Sequence, residues 1–368
     1  NQANVVTNIA KVVTAGIGSI TLTGTQYNSV ASATTKFTDA GLSLAVANGE
    51  TFNFSSDSNL AAKLKDADVA TGGSLTVTSA QLATKGVTGG GSITVTGVTN
   101  GTNLSNISSA LTHTATLVNN ADISGNGNLG TVDKFNLESN AEVTMTKVQH
   151  DLLTIGSAGV GTNKITMSGL ASFNAESTIE TYQLANVANN SITLSSEAHT
   201  VIGGTAGDTI IGGSGADTMT GGTGLDSLSG GGGADTFKFS SGDAFTNVNS
   251  GGGNFETISD FTTGVDKLDV VGVTVDSLTK FNGENLVTNK FDDALAGTRN
   301  EAGEVVGSPT SNFTNGDVDA FFMYNVAGTG NGYLAIDMNA SGTLDTSDLL
   351  IVLSNGNQDS TLVYSDFI

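Results

Sequence analysis

Aspartate recurs at nine-residue intervals in the most glycine-rich part of the chain, residues 203–238. Four consecutive units read GGTAGDTII, GGSGADTMT, GGTGLDSLS and GGGGADTFK. Their sixth positions are Asp208, Asp217, Asp226 and Asp235. A carboxylate beside unhindered glycine carbonyls offers the oxygen ligands that hard divalent cations bind. A flexible glycine/serine linker has no reason to keep aspartate in nine-residue phase, so the pattern indicates a metal-binding repeat.

Each unit combines a turn with a short strand. The first six residues, Gly-Gly-x-Gly-x-Asp, are predicted to bend the chain, because glycine permits positive φ angles. The last three residues are predicted to point one apolar side chain inward, at Ile210, Met219, Leu228 and Phe237. Two units then form one coil of a flattened helix, and stacked coils bring oxygens of neighbouring turns together. This oxygen-only ligand set suits several Ca²⁺ ions, because Mg²⁺ needs stricter geometry and zinc or copper prefer histidine or cysteine.

The four units resemble the RTX (repeats-in-toxin) hemolysin-type calcium-binding repeats of proteins exported by type I secretion. The resemblance implies a parallel β-roll in which Asp208 and Asp226 line one side and the other two aspartates line the opposite side. The first unit departs from the pattern, because Ala206 and Gly207 are exchanged. The resemblance also implies turn carbonyl ligands at Gly203, Thr205, Gly212, Ser214, Gly221, Thr223, Gly230 and Gly232.

The resemblance extends beyond the repeats, over residues 200–368. Ile258–Val270 (ISDFTTGVDKLDV) looks like the capping segment that follows RTX repeats in secreted metalloproteases and in Gram-negative surface-layer (S-layer) proteins. Tyr333–Leu353 looks like the last strand-loop-strand of such proteins. Three acidic residues of the capping segment are candidate ligands, with capping or surface ion pairs to Lys267 as the alternative. They are Asp260, Asp266 and Asp269.

The segment near the end of the chain has the spacing of an EF-hand-like loop. Its candidate ligands are Asp337, Asn339, Ser341, Thr343, Asp345 and Asp348, at loop positions 1, 3, 5, 7, 9 and 12. Gly342 occupies position 6, and an aspartate replaces the usual glutamate at position 12. The preceding residues predict a strand instead of a helix. The loop is therefore either a second calcium site or a solvated turn.

The elements that carry these residues are predicted to be strands. A signature of alternating apolar and threonine residues that ends in glutamine occurs at Ile20–Gln26, Leu75–Gln81 and Val143–Gln149. Period-two alternation predicts strands with one buried side, and Ser58–Val69 is a short helix candidate. The fold class is predicted to be all-β, with a parallel β-roll or β-solenoid. We expect three regions: a strand-rich degenerate repeat region (1–200, solenoid or sandwich-like), the RTX β-roll (201–239), and a β-rich C-terminal cap with the second calcium loop (240–368).

The composition and charge of the chain disfavour or exclude several classes of function and site. The net charge of −22 disfavours nucleic-acid binding. The charge is uneven: residues 1–202 carry 13 acidic and eight basic residues, whereas residues 203–368 carry 22 and five. The absence of cysteine excludes disulfides and thiolate metal sites, and no apolar stretch predicts a membrane span. The chain begins at Asn1 without a signal-peptide pattern, from which we expect a mature product or a fragment.

Catalytic motifs are missing from the sequence. It contains no HExxH, no GxSxG and no nucleophilic cysteine. The three histidines, His113, His150 and His199, are far apart, and His199 is interpreted as an ordinary surface residue. We therefore predict that the chain is not an enzyme.

The arrangement of four repeats, the DKLDV cap and the final loop is similar to the C-terminal part of Gram-negative S-layer proteins. This resemblance implies a calcium-dependent lattice of self-associating subunits on the bacterial cell surface, anchored to a surface polysaccharide through a part not in this chain. A secreted adhesin or biofilm-matrix protein is the alternative, and an enzyme whose catalytic domain lies elsewhere is a third. Val363–Ile368 (VYSDFI) resembles a type I secretion signal, or is a final strand.

Overall fold

The computed structural model describes residues 20–31, 41–58, 60–130, 132–151, 156–157, 162–187, 189–240, 243, 256–272, 274–275, 277–282, 319–324, 332–336, 338, 340, 348–354 and 362–368. It divides into two compact units, Asn1–Lys164 and Ile165–Ile368. The fold is all-β and a parallel β-solenoid, so the predicted fold class is confirmed. The three predicted regions stay a prediction.

The first unit is built mainly from parallel strands. They are β1 (Ile20–Thr23), β2 (Leu42–Val46), β3 (Thr51–Asn53), β4 (Leu64–Val69), β5 (Ser74–Thr78), β6 (Gly86–Gly89), β7 (Ser92–Val98), β8 (Thr112–Leu117), β9 (Ala121–Asp122), β10 (Lys134–Leu137), β11 (Glu142–Met145) and β12 (Gly156–Ser157). One sheet has the order β1-β2-β4-β6 and another β12-β10-β8-β7-β5-β3. Alternate side chains are buried, as at Leu75 and Ile93, which lie in register on β5 and β7.

Four short helices interrupt these strands: α1 (Gly24–Ala31), α2 (Leu60–Lys63), α3 (Ser79–Leu82) and α4 (Lys147–Asp151). The predicted helix Ser58–Val69 was wrong over its second half, because Leu64–Val69 is strand β4. Its side chains at Leu64, Ala67 and Val69 are buried, and it pairs in parallel with β2. Sheet pairing therefore overrides the local helical preference of this segment.

The recurring glutamine caps the start of the short helix that follows each signature strand. Gln81 Oε1 accepts from the Thr78 backbone N–H at 2.8 Å, and Thr78 Oγ1 accepts from the Gln81 N–H at 3.1 Å. This reciprocal pair is a capping box. Gln81 Nε2 also donates to the carbonyls of Phe54 and Asp57 at 2.7 and 2.6 Å. The same Thr–Gln reciprocity occurs at Thr23–Gln26 and Thr146–Gln149. The sequence signature thus marks a strand end that is tied to a neighbouring loop.

The second unit contains the nine-residue repeats. Its strands are β13 (Lys164–Met167), β14 (Ser172–Asn174), β15 (Thr181–Gln183), β16 (Ser191–Thr193), β17 (Thr200–Ile202), β18 (Thr209–Ile211), β19 (Thr218–Thr220), β20 (Ser227–Ser229), β21 (Thr236–Phe239), β22 (Glu256–Ile258), β23 (Lys267–Val270), β24 (Ser277–Asn282), β25 (Asp319–Tyr324), β26 (Gly332–Ile336) and β27 (Leu349–Leu353). A 3-10 turn spans Tyr364–Asp366.

Successive repeats send their strands alternately into two sheets. One sheet runs β13-β15-β17-β19-β21-β23, and the other runs β14-β16-β18-β20-β22-β27-β26-β25-β24. Ile210 therefore lies in register with Leu228, and Met219 with Phe237. All four side chains are completely buried, as the repeat pattern predicted. The described strand pairs are parallel except for β25–β26 and β26–β27, which are antiparallel. Among the described residues, no helix is long and apolar enough to span a membrane.

Candidate metal site

The sixth residues of units one coil apart are joined by hydrogen bonds along each edge of the roll. On one edge the Asn190 N–H donates to Asp208 Oδ1 at 2.9 Å, and the Asp208 N–H donates to Asp226 Oδ1 at 2.6 Å. The Asp226 N–H then donates to Glu256 Oε2 at 3.0 Å. We call Asn190, Asp208, Asp226 and Glu256 the first ladder. Each carboxylate in it satisfies the backbone of the preceding coil.

The opposite edge repeats this arrangement. The N–H of His199 donates to Asp217 Oδ1, and the N–H of Asp217 donates to Asp235 Oδ1, both at 2.8 Å. The N–H of Asp235 donates to Asp266 Oδ1 at 3.0 Å. We call these four residues the second ladder. The structure thus brings Asp208 together with Asp226, and Asp217 with Asp235 and Asp266.

Glycine at the first position of a unit is required by close stacking of coils. A Cβ on Gly203 would lie 1.8 Å from the carbonyl oxygen of Gly221, and a Cβ on Gly212 would lie 1.9 Å from that of Gly230. These four predicted carbonyl ligands therefore stack in pairs. The predicted ligands at third positions are all exposed at the turn tips, at Thr205, Ser214, Thr223 and Gly232. Their role as carbonyl ligands stays a prediction.

The four turns are of two kinds. In the first two units the second glycine donates its N–H to the aspartate of its own turn, Gly204 to Asp208 Oδ2 at 2.7 Å and Gly213 to Asp217 Oδ2 at 3.2 Å. In the third unit the glycines at the second and fourth positions have φ of +91° and +137°. In the fourth unit these angles are +82° and +119°. Ala206 fits the first unit because that turn does not use a positive φ there.

Among the described residues, two carboxylate oxygens of the first ladder have no hydrogen-bond partner. Asp226 Oδ2 and Glu256 Oε1 are buried and accept no hydrogen bond from the residues that the structure describes. Both residues are only 2% exposed. Burial, together with the negative charges of neighbouring carboxylates that include Asp243, raises the pKa of Asp226 to about 7 and that of Glu256 to about 9. A cation at these oxygens relieves the same penalty, so the donor set fits a hard divalent ion.

The second ladder is under similar electrostatic strain. Burial raises the pKa of Asp235 to about 6, and the charges of Asp266 and Asp217 contribute. Burial also raises the pKa of Asp217 and of Asp266 above the usual aspartate value. Within the described ranges, no three acidic or histidine side chains surround one point as a metal centre. A bound ion therefore needs backbone carbonyls in addition to carboxylates.

Two of the three acidic residues of the capping segment have structural partners outside the ladders. Asp260 accepts from the N–H groups of Gly230 and Gly231 at 2.7 and 2.8 Å and from Ser229 Oγ at 2.6 Å. Asp269 pairs with Lys238. These contacts match the capping and ion-pair alternative, except that the lysine is Lys238. Lys267 lies 3.7 Å from Asp366 instead. A ligand role for Asp260, Asp266 or Asp269 stays a prediction.

The EF-hand-like loop is described at only one of its candidate ligands. Asp348 is buried, and its Oδ1 accepts from the Met338 N–H at 3.0 Å. The other five candidates lie outside the described residues: Asp337, Asn339, Ser341, Thr343 and Asp345.

Sequence reasoning missed three ladder residues, Asn190, His199 and Glu256. The interpretation of His199 as a surface residue was wrong: it is 3% exposed, its Nδ1 donates to the Ile179 carbonyl at 2.8 Å, and its Nε2 lies 2.7 Å from Ser195 Oγ. A signal was present, because Asn190 and His199 continue the nine-residue spacing of the aspartates backwards. In addition, Asn190, His199 and Glu256 each have an apolar residue two positions later in the sequence. The segments that precede Asn190 and His199 lack glycine, so the repeat pattern did not include these two residues.

Comparison with known families agrees with this geometry. Residues 202–237 match the RTX calcium-binding nonapeptide repeat in four copies, which is 36 of the 368 residues. RTX nonapeptide repeats bind Ca²⁺, and proteins that carry them are typically secreted. No curated protein matches the chain significantly.

Proposed function

We propose that this protein is a structural subunit of a bacterial S-layer that folds on Ca²⁺ after export and assembles into a lattice. The observation that carries the proposal is the pair of buried, partnerless carboxylate oxygens on Asp226 and Glu256. An ion that binds only the folded roll stabilises it by mass action. Folding is then conditional on the calcium of the surroundings.

Calcium-conditional folding suits an exported chain. Ca²⁺ is scarce in the cytosol, where the stacked carboxylates repel one another and the glycine-rich turns favour the unfolded chain. Outside the cell Ca²⁺ is available, and binding free energy becomes folding free energy. Val363–Ile368 acts in this proposal as the type I secretion signal, as its resemblance suggests.

A lattice role is supported by the regular polar strand faces of the first unit. Thr76 lies in register with Thr94 on the neighbouring strand, and Thr94 lies in register with Thr114 on the next. Rows of short hydroxyl side chains on parallel strands offer a flat, repeated surface for packing against a second copy. The chain's principal partner is then itself, with a surface polysaccharide as the anchor. The absence of known catalytic motifs from the sequence is consistent with this role.

A secreted adhesin or biofilm-matrix protein is the alternative, because the same calcium module and the same hydroxyl-rich faces suit a glycan ligand. Electron microscopy of the purified chain in Ca²⁺ and in chelator separates the two. Ordered two-dimensional arrays that disappear in chelator support the lattice. Monomers that stay dispersed at all Ca²⁺ concentrations and bind a glycan overturn it in favour of the adhesin.

A further inference from the structure

Glu256 occupies the place of a repeat aspartate although it lies outside the four matched units. Strand β22 pairs in parallel with β20, so that Thr257 is opposite Ser227 and Ile258 is opposite Leu228. Glu256 therefore stands next to Asp226 in the ladder, 30 positions later in the chain instead of the usual 18. The glutamate side chain, although one methylene longer, accepts a hydrogen bond from the Asp226 N–H as an aspartate does elsewhere in the ladder.

The two ends of the first ladder differ in how their oxygens are satisfied. Asp208 uses both oxygens: Oδ1 accepts from the N–H and the side-chain amide of Asn190, and Oδ2 accepts from the Gly204 N–H. Asp226 has no such donor from its own turn, because the positive φ of Gly222 belongs to the second kind of turn. Its Oδ2 and Glu256 Oε1 remain without a partner among the described residues.

Nothing described on the protein neutralises this pair. No ion pair of the described residues includes Asp226 or Glu256. Asp243, 8% exposed, adds a third carboxylate in the neighbourhood, and its Oδ2 accepts from the Ser240 N–H at 2.6 Å. A Cβ on Gly221 would lie 2.2 Å from Asp226 Oδ2, so the turn backbone approaches this oxygen closely. Two buried carboxylates in such a place must be neutralised, either by protonation or by a bound cation.

We propose that Asp226 and Glu256 form a Ca²⁺ site that closes the first ladder, adding one ion beyond those held within the four repeats. The free oxygens Oδ2 and Oε1 are its carboxylate ligands. Ca²⁺ fits better than Mg²⁺, because it accepts irregular oxygen ligation that includes backbone carbonyls. The site links the roll to the chain that follows it, and it stands whether or not the protein forms a lattice.

The test compares Glu256→Gln with Glu197→Gln, a matched change at an exposed residue of the same compact unit, Ile165–Ile368. The amide introduced by Glu256→Gln keeps an oxygen that accepts the Asp226 N–H but carries no charge. Equilibrium dialysis of the full chain with Ca²⁺ alone should give one ion fewer for Glu256→Gln, or roughly tenfold weaker binding of one ion, since affinity follows ligand charge. Glu197→Gln should bind as the wild type does. An unchanged stoichiometry and affinity in Glu256→Gln overturns the site.

Thermal unfolding in chelator and in Ca²⁺ distinguishes a ligand from a purely structural residue. Glu256→Gln should melt at a higher temperature than the wild type in chelator, because a buried charge is gone, and at a lower temperature in saturating Ca²⁺. A change of the same sign in both conditions contradicts a ligand role. If Glu256→Gln loses one ion and the remaining ions still drive folding, the result supports the extra site and shows that the repeats bind Ca²⁺ independently of it. Loss of all Ca²⁺ binding in a chain that remains folded contradicts the proposed extra ion.

Discussion

The backbone N–H of Asp208 donates to Oδ1 of Asp226 at 2.6 Å, one coil of the roll away. Asp226 thereby satisfies a neighbouring turn with one oxygen, while its other oxygen has no hydrogen-bond partner among the described residues. The four repeats use this relationship on both edges, and Glu256 and Asp266 extend it beyond them. The ladders hold the carboxylates close together, and their burial and mutual repulsion raise the pKa of Asp226, Asp235 and Glu256.

Removing two carboxylates of the second ladder should weaken calcium-driven folding. Asp217→Ala combined with Asp235→Ala removes two predicted Ca²⁺ ligands and also the acceptors for the N–H groups of His199 and Asp217. We expect the Ca²⁺ concentration needed for folding to rise, as measured by calorimetric melting over a calcium titration. Asp151→Ala, at an exposed position in the first compact unit (Asn1–Lys164), serves as the control. Melting that is unchanged at every Ca²⁺ concentration rules out the metal assignment.

Without calcium the roll should lose stability as pH rises. The folded-state pKa is raised to about 7 for Asp226 and about 9 for Glu256, above the ordinary values of 3.8 and 4.5. A raised carboxyl pKa contributes stability that is complete below the ordinary value and disappears as pH rises through the folded value. Denaturant unfolding in chelator should therefore show falling stability between these limits, and saturating Ca²⁺ should suppress the fall. Rising stability in chelator over this range contradicts the account.

We expect the two kinds of turn to differ in how a side-chain methyl group at the fourth position of the repeat affects stability. Gly224→Ala places a side chain at φ +137° and sets its Cβ 2.6 Å from the carbonyl carbon of Ala206. Such backbone strain is expected to cost about 1–3 kcal/mol, before the steric clash is added. The equivalent change in the first unit, Ala206→Gly, should alter stability by no more than about 1 kcal/mol. Chemical denaturation in Ca²⁺ measures both, and equal losses argue against two turn types.

The recurring glutamines should contribute to the stability of the first compact unit, Asn1–Lys164. Gln81 is buried and joins Thr78 to the carbonyls of Phe54 and Asp57. Gln81→Ala should destabilise this unit by about 1–3 kcal/mol, because it leaves buried backbone groups without partners. Hydrogen exchange of the Thr78 amide should become faster. Lys85→Ala, outside this network, is the control, and a loss of protection equal to the control's contradicts the capping role.

The nine-residue phase predicted the inward apolar residues and the stacked coils, and the resemblance to RTX repeats predicted the parallel roll with its aspartates paired on two edges. The phase did not reveal the two turn types, because GGSGAD at Gly212 and GGGGAD at Gly230 both have glycine at positions 1, 2 and 4 yet differ in φ. In the fourth unit Gly231 donates to Asp260, beyond the repeats, whereas in the second unit Gly213 donates to the aspartate of its own turn.

The ladder ends were beyond prediction for a related reason. Glu256 reaches Asp226 only after a long segment that breaks the nine-residue phase, so the register of β22 had to be known. Asn190 and His199 kept the phase but not the glycines, and their turns are bound by side-chain hydrogen bonds instead. A search for phase alone, with any polar residue at the sixth position, finds both.

The central claim is that the carboxylate ladders make folding of the roll depend on calcium. The most direct measurement is far-ultraviolet circular dichroism of the full chain at neutral pH during a Ca²⁺ titration that starts in chelator. We predict less strand content in chelator than in Ca²⁺, with a cooperative gain of β-structure as Ca²⁺ is added and little effect of equal concentrations of Mg²⁺. A spectrum with full β-structure in chelator that Ca²⁺ leaves unchanged would contradict the account.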